Sequence, residues 1–186
     1  MRFILYFTFS LFVLNAYPTV HTNFKHYSIY PQTKEDLGKA MYDNSPIRLN
    51  GKKHRGLTQW RIKWSYKWKK RNNTCYITKA NVILNIDYTM PKIPTSHTVD
   101  ASVRNTFDAY YKALFAHEKN HMKYAEKAAR DLERRILSFR GKCNDIKPYI
   151  NKEKTSIFNK LKKVNKDYDK RTGQGRTEGV DVKNFF

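Results

Sequence analysis

Hydrophobic and polar positions repeat with two different periods along this chain of 186 residues. From Trp60 to Trp68 the period is two. Trp60, Ile62, Trp64, Tyr66 and Trp68 interleave with Arg61, Lys63, Ser65 and Lys67, which predicts a strand with one aromatic face and one mostly cationic face. A polar turn from Lys69 to Thr74 follows. A second strand then runs from Cys75 to about Tyr88, with Tyr76, Ala80, Val82, Leu84 and Ile86 on one face, and the pair reads as an antiparallel hairpin. An earlier strand is expected from Phe24 to Tyr30, ended by Pro31. Between them, Thr33 and Asp36 look like the cap of a short helix through Leu37, Ala40 and Met41, which Asn44-Ser45-Pro46 stops.

After Met90-Pro91-Lys92-Ile93-Pro94, a stiff break, the period changes to that of a helix. Val103, Phe107, Tyr110, Leu114, His117, His121, Ala125, Ala128, Leu132 and Ile136 form one apolar stripe, predicting a long amphipathic helix from about Val99 to Phe139, with Gly141 as its stop. Asp145 to Asp169 predicts a second helix, packed back along the first through Ile150, Ile157, Leu161, Val164 and Tyr168. Residues 170–186 read as a tail with three glycines and no helical period, a kind of segment that usually frays. The order of elements gives an α+β class: a small antiparallel sheet in the N-terminal half, packed with a long helix and a second C-terminal helix.

Two of the residues on the long apolar stripe are histidines. His117-Glu118-Lys119-Asn120-His121 reads H-E-x-x-H, and on a helix two residues four apart project from one face, one turn above the other. Both imidazoles can therefore reach one metal ion, and Glu118 can address a water held by it, which is the arrangement of zinc peptidases and of a zincin-like fold. The alternative is a pair of histidines that line a buried face with ordinary hydrogen-bond partners. No glycine and no later histidine follow His121 at metzincin spacing, and Glu126 is rotated away from the histidine face.

Met1-Arg2 followed by the apolar run Phe3–Leu14 has the size of a signal-peptide core, with cleavage expected after Ala16 and one domain from 17 to 186; an uncleaved anchor is the alternative. The expected location is periplasmic or secreted. Two cysteines, Cys75 and Cys143, allow only one intramolecular pairing, which an exported protein can keep oxidised; two free thiols are the other reading. The chain carries 37 Lys+Arg against 16 Asp+Glu, a net charge of +21. Such a surface attracts an acidic envelope polymer or acidic partner, or simply keeps the protein soluble. Nucleic acid is disfavoured: the strand aromatics and cations lie on opposite faces, whereas a single-strand platform needs both on one, and export argues against it.

Several stretches together match a family. They are His54-Arg55-Gly56-Leu57-Thr58-Gln59-Trp60-Arg61-Ile62-Lys63-Trp64-Ser65-Tyr66, then Cys75, His117-Glu118-x-x-His121, Cys143, and Tyr168-Asp169-x-x-Thr172-x-x-Gly175-x-x-x-Gly179. In these the chain resembles the bacterial family of predicted secreted zinc-dependent proteases, otherwise described as a domain of unknown function, from about residue 24 to 182. The resemblance implies a metallopeptidase that binds Zn²⁺ and cuts a protein or peptide substrate. The family's C-terminal stretch reads Y-D-x-x-T-x-H-G, and this chain has Gln174 in place of that histidine, the natural third ligand. A neutral amide oxygen is a weak partner for zinc beside imidazole or carboxylate. Three outcomes follow: Gln174 binds weakly; Glu178, Asp169 or another carboxylate substitutes; or the site has lost metal and activity. The expected chemistry has His117, His121 and a group from the tail holding zinc, with Glu118 as general base. The alternative is a catalytically impaired exported protein that binds an acidic polymer or a protein partner.

Overall fold

A computed structural model describes residues 17–49 and 51–181. The expected signal segment, 1–16, lies outside them, as do the last residues of the expected tail. The chain forms β1 (Thr19–Ser28), α1 (Leu37–Asn44), the short strands β2 (Arg48–Leu49) and β3 (Lys52–Lys53), β4 (Leu57–Arg71), β5 (Thr74–Lys92), α2 (Ala101–Leu137), β6 (Arg140–Gly141) and α3 (Ile146–Thr172). The main sheet has the order β1-β5-β4, with β6 paired to the start of β5. α2 lies on β4 and β5, and α3 packs along α2, giving the mixed α+β architecture expected from the pattern.

The hairpin of β4 and β5 is antiparallel, with Trp60 opposite Ile86, Ile62 opposite Leu84 and Trp64 opposite Val82. Both strands turn their apolar face to the helices: Val82, Leu84, Ile86, Tyr88 and Met90 are buried beneath α2. Trp60, Trp64 and Tyr66 pack on the core, with Trp60 and Trp64 holding Phe158 of α3 edge-on at 5.4 and 6.4 Å between ring centroids. Trp68, expected on the same face, instead lies past a register shift after Lys67 and is exposed. Arg61, Lys63 and Lys67 face solvent on the other side.

β1 differs from expectation in extent and direction. It begins at Thr19 and runs parallel to β5, from Thr19 opposite Ile83 to Ser28 opposite Lys92, so the sheet is mixed. Met90-Pro91, expected in a break, belongs to β5. Proline is tolerated there because β4 has already ended, at Leu57 opposite Thr89, and no partner on that side needs its missing N–H. Thr33 and Asp36 exchange reciprocal side-chain bonds to each other's backbone N–H at 3.2 and 3.3 Å, a capping box ahead of α1.

Cys75 and Cys143 form a disulfide that ties the start of β5 to the turn between α2 and α3. Their separation of 68 residues gives a contribution of about 4 kcal/mol by the loop-entropy argument. Past Thr172, the buried last residue of α3, the chain stays packed: Val180 is buried, and Arg176–Glu178 makes one 3₁₀ turn.

Candidate metal centre

The site grows from the middle of α2. The apolar stripe that seats this helix on the sheet includes His117 and Glu118, only 4% and 5% exposed, with His121 slightly more open. Their rings are 4.9 Å apart, nearly perpendicular, and the two Nε2 atoms approach to 3.3 Å. Asp169, in the last turn of α3, closes a triangle: its Oδ1 lies 3.3 Å from His117 Nε2 and 3.0 Å from His121 Nε2. These three residues form the one group among the described residues whose ligand atoms could hold a metal ion together.

The outward-facing nitrogens decide what the inward-facing ones can do. His117 Nδ1 lies 2.8 Å from Glu178 Oε2, and a carboxylate can only accept there. His121 Nδ1 lies 2.5 Å from Asn165 Oδ1, and that amide is oriented by its own Nδ2, which donates to the Leu161 carbonyl at 2.8 Å. Both Nδ1 atoms are thus donors, so in the neutral imidazoles both Nε2 atoms carry lone pairs. Two lone pairs and a carboxylate oxygen face one another across 3.0–3.3 Å. Only a cation, either protons or a metal, makes that arrangement favourable. Tetrahedral zinc with bonds of about 2.0–2.1 Å separates its ligand atoms by about 3.3 Å, so the residues present fit the ion.

Titration behaviour reflects the same contest. Burial opposes charging of His117 and His121, but hydrogen bonds to Asp169, and to Glu178 and Asn165 respectively, outweigh it and raise both imidazoles above their ordinary 6.5. Burial also works against the charge on Asp169, yet the two histidines hold its carboxyl well below the usual carboxylate range. Glu178 is likewise lowered, since Tyr168 and His117 donate to it more strongly than burial penalises it.

Glu118 occupies a separate niche. Its carboxylate accepts from the Thr58 hydroxyl of β4 at 2.6 Å. A β-carbon at Gly56 would stand 2.9 Å from Glu118 Oε1 and from Leu114 Cδ1, so only glycine leaves this space. Burial raises the Glu118 carboxyl above its ordinary value, with the Thr58 bond and the two histidines opposing. Tyr168 completes the surround. Its ring stacks on His117 at 4.9 Å, and its hydroxyl donates to Glu178 at 2.6 Å while accepting from Asn120 Nδ2 at 2.8 Å.

The segment after α3 is shaped to bring Glu178 back. Gly173, Gln174 and Gly175 all have left-handed backbone, with φ of +59, +60 and +85°. A β-carbon at Gly175 would meet Val180 Cγ2 at 2.7 Å and His117 Cγ at 3.1 Å, so the turn passes directly against the first histidine. Gln174 contributes its backbone N–H to the Asp169 carbonyl at 2.7 Å, while its exposed side chain lines the cleft outside the His117–His121–Asp169 group. Glu178 touches the far nitrogen of His117. Sequence reasoning left Asn165, Thr58 and Tyr168 without a role in the site; the stretches that carry Thr58 and Tyr168 belonged to the quoted resemblance, which was the available signal.

The whole arrangement opens into a cleft of about 1070 Å³, lined by Glu118, His117, His121 and Asp169 together with Trp60, Arg55 and Val180. Two carboxylates with opposed environments, one neutralised by histidines and one desolvated, are the pairing that lets a site combine cation binding with proton transfer. A family model described as "Bacterial protein of unknown function (DUF922)" matches residues 24–175. No curated protein and no solved structure matches the chain.

Proposed function

The chain belongs to this bacterial family of unknown function, and on that footing we propose that it is an exported zinc-dependent metallopeptidase. The observation that carries the reading is the convergence of His117 Nε2, His121 Nε2 and Asp169 Oδ1 at 3.0–3.3 Å, with Glu118 next in sequence and buried beside them. Two imidazoles and one carboxylate are a donor set of catalytic zinc sites, which keep a further position open.

His117, His121 and Asp169 would hold the ion. Zinc bound there would supply Lewis acidity, polarising a peptide carbonyl and making water acidic near neutral pH. Glu178 and Asn165 fix the two rings with their Nε2 atoms turned inward, a supporting role common around metal-binding histidines. Glu118 takes the proton of the attacking water and delivers it to the departing amine. Its burial suits that task, because a desolvated carboxylate is a stronger base than an exposed one. Thr58 holds one carboxylate oxygen and so aims the other.

Export is part of the proposal. It is supported by the apolar run near the start of the sequence and by the disulfide, which fits an oxidising compartment. No helix among the described residues is long and apolar enough to cross a membrane.

The decisive experiment loads the purified protein with zinc and measures stoichiometry beside hydrolysis of an unstructured protein substrate. About one zinc per chain is expected in the wild type, and none held tightly in His117→Ala. Glu118→Gln should keep its zinc and lose hydrolysis by about 10³-fold. Zinc that binds equally well without His117 removes the metal centre. Tight zinc with no hydrolysis leaves the rival reading, a binding protein with an idle site.

A further inference from the structure

The cations of this protein fall into two populations. Among the described residues, every Lys or Arg in an ion pair with a carboxylate, from Lys25 and Lys39 to Arg135 and Lys163, lies outside the cleft. The cleft itself is lined by Lys52, Lys53, Arg55, Lys166, Lys170 and Arg176; among the described residues none of them is in an ion pair with a carboxylate. After Lys163, however, Lys166 and Lys170 help hold the Asp167 carboxyl below its ordinary value, and after Lys39, Lys53 does the same for Asp43. Lys53 and Arg176 donate only to backbone carbonyls, of Asp43 and Gly173. The guanidinium of Arg55 lies against the Tyr110 hydroxyl, while its buried Nε has no acceptor among the described residues. The carboxylates that line the same cleft are already engaged, Asp169 by both histidines and Glu118 by Thr58.

These positive charges are concentrated where the candidate chemistry lies. Lys166 and Lys170 stand one helical turn apart on α3 and bracket Asp169, while Lys52 and Lys53 come from β3. In a recess with low-dielectric walls, cations in excess of carboxylates focus a field that draws in a complementary ligand. At about 1070 Å³ the cleft matches the upper end of small-molecule pockets, room for a few residues of an extended chain. Leu49, Leu57, Trp60 and Val180 add apolar wall. A continuous polyanion would press charge against Asp169 and Glu118 as well as against the lysines. An extended peptide does not, because neutral amides separate its charged side chains.

We propose that the cleft selects acidic peptide segments, with Asp or Glu side chains pairing with Lys52, Lys166, Lys170 and Arg55 while the neutral backbone between them passes over His117, His121 and Glu118. As a substrate preference this rests on the metallopeptidase reading; as a binding preference it stands apart from it.

The test uses the full chain carrying Glu118→Gln, and labelled peptides of one length whose charged positions are Glu, Gln or Lys, followed by fluorescence anisotropy at physiological salt. The Glu peptide should bind about tenfold more tightly than the Gln peptide, with zinc and after its removal, and the Lys peptide should not bind. Lys166→Ala/Lys170→Ala should erase most of that preference. Lys69→Ala/Lys70→Ala, near the end of β4 and outside the cleft, should leave it within about twofold. Equal binding of Glu and Gln peptides overturns the proposal. So does equal weakening by both double variants, which would mean net charge alone. So does displacement of the Glu peptide by heparin or oligothymidylate at lower charge concentration than by unlabelled peptide. With wild-type zinc protein the two readings separate. A binding preference without cleavage sinks the peptidase and keeps the acidic cleft; equal cleavage of Glu and Gln peptides without a preference does the reverse.

Discussion

The two stretches of chain that meet at the candidate metal centre are built on different principles. In α2, His117, Glu118 and His121 fall within five consecutive residues, and the helical repeat alone brings them together. In α3 and the turn beyond it, Asn165, Asp169 and Glu178 reach the same two rings only because α3 packs along α2 and three left-handed residues fold the chain back. The first half of the site is a local geometry that any stable helix would present. The second is a product of tertiary packing, so it can fail while the helix survives.

That contrast is exposed most strongly by Asp169→Ala. Zinc affinity should fall by more than about 100-fold in calorimetry, beyond the range for outer-shell partners, with the helical circular dichroism unchanged. An affinity equal to wild type would show that the histidine pair of α2 suffices without the α3 arm.

Acidification comes next. Metal needs neutral imidazoles, and both histidines have pKa values raised above 6.5 by their carboxylate and amide partners, so protons compete from above that pH downward. The metal-free cluster has the opposite preference. The raised histidines stabilise it below 6.5 and lose that contribution as pH climbs through their folded values. The lowered Asp169 contributes above 3.8 and loses it on further acidification. The increase in melting temperature caused by zinc should therefore shrink as pH drops from 8 to 5. An increase that is flat with pH would place the ion away from the histidines.

Glu178→Gln sharpens the comparison further, because it keeps the shape of the turn and removes its charge. A loss of about 10- to 100-fold in zinc affinity or turnover is expected. A change as large as that of Asp169→Ala would make Glu178 a direct ligand. The smallest effect belongs to Gln174→Ala. Its side chain is exposed and outside the ligand group, so zinc affinity should move by less than about twofold. A larger drop would return the third-ligand role to the amide.

What the sequence showed follows the same divide. The stripe from Val103 to Ile136 and the alternation from Trp60 to Tyr66 were readable because each repeats locally with the period of its element, and each faces one buried layer; the register shift after Lys67 that exposes Trp68 left no such mark. The parallel docking of β1 was not, because that strand is exposed along nearly its whole length and carries no one-sided pattern from which a partner could be inferred. Asp169 was visible through the Tyr168-Asp169 stretch of the resemblance, as one of several carboxylates able to replace the missing histidine; its setting in a lysine-rich helix, beside the solvated Asp167, does not single it out as the one facing two histidines. Glu178 was visible only as a carboxylate at a suitable distance along the chain; the φ values of 173–175 determine which ring nitrogen it meets.

Asp169 and Glu178 follow every strand of the sheet and the whole of α2 in the chain. A polypeptide made from its amino end thus exposes the imidazole pair well before it contains the acid that closes the triangle or the acceptor that sets the first ring. Biosynthesis orders the assembly: the sheet and its long helix can be complete while the centre still lacks a side. On the proposed reading, hydrolysis would be withheld from the nascent chain and would begin only after α3 and its closing turn have emerged.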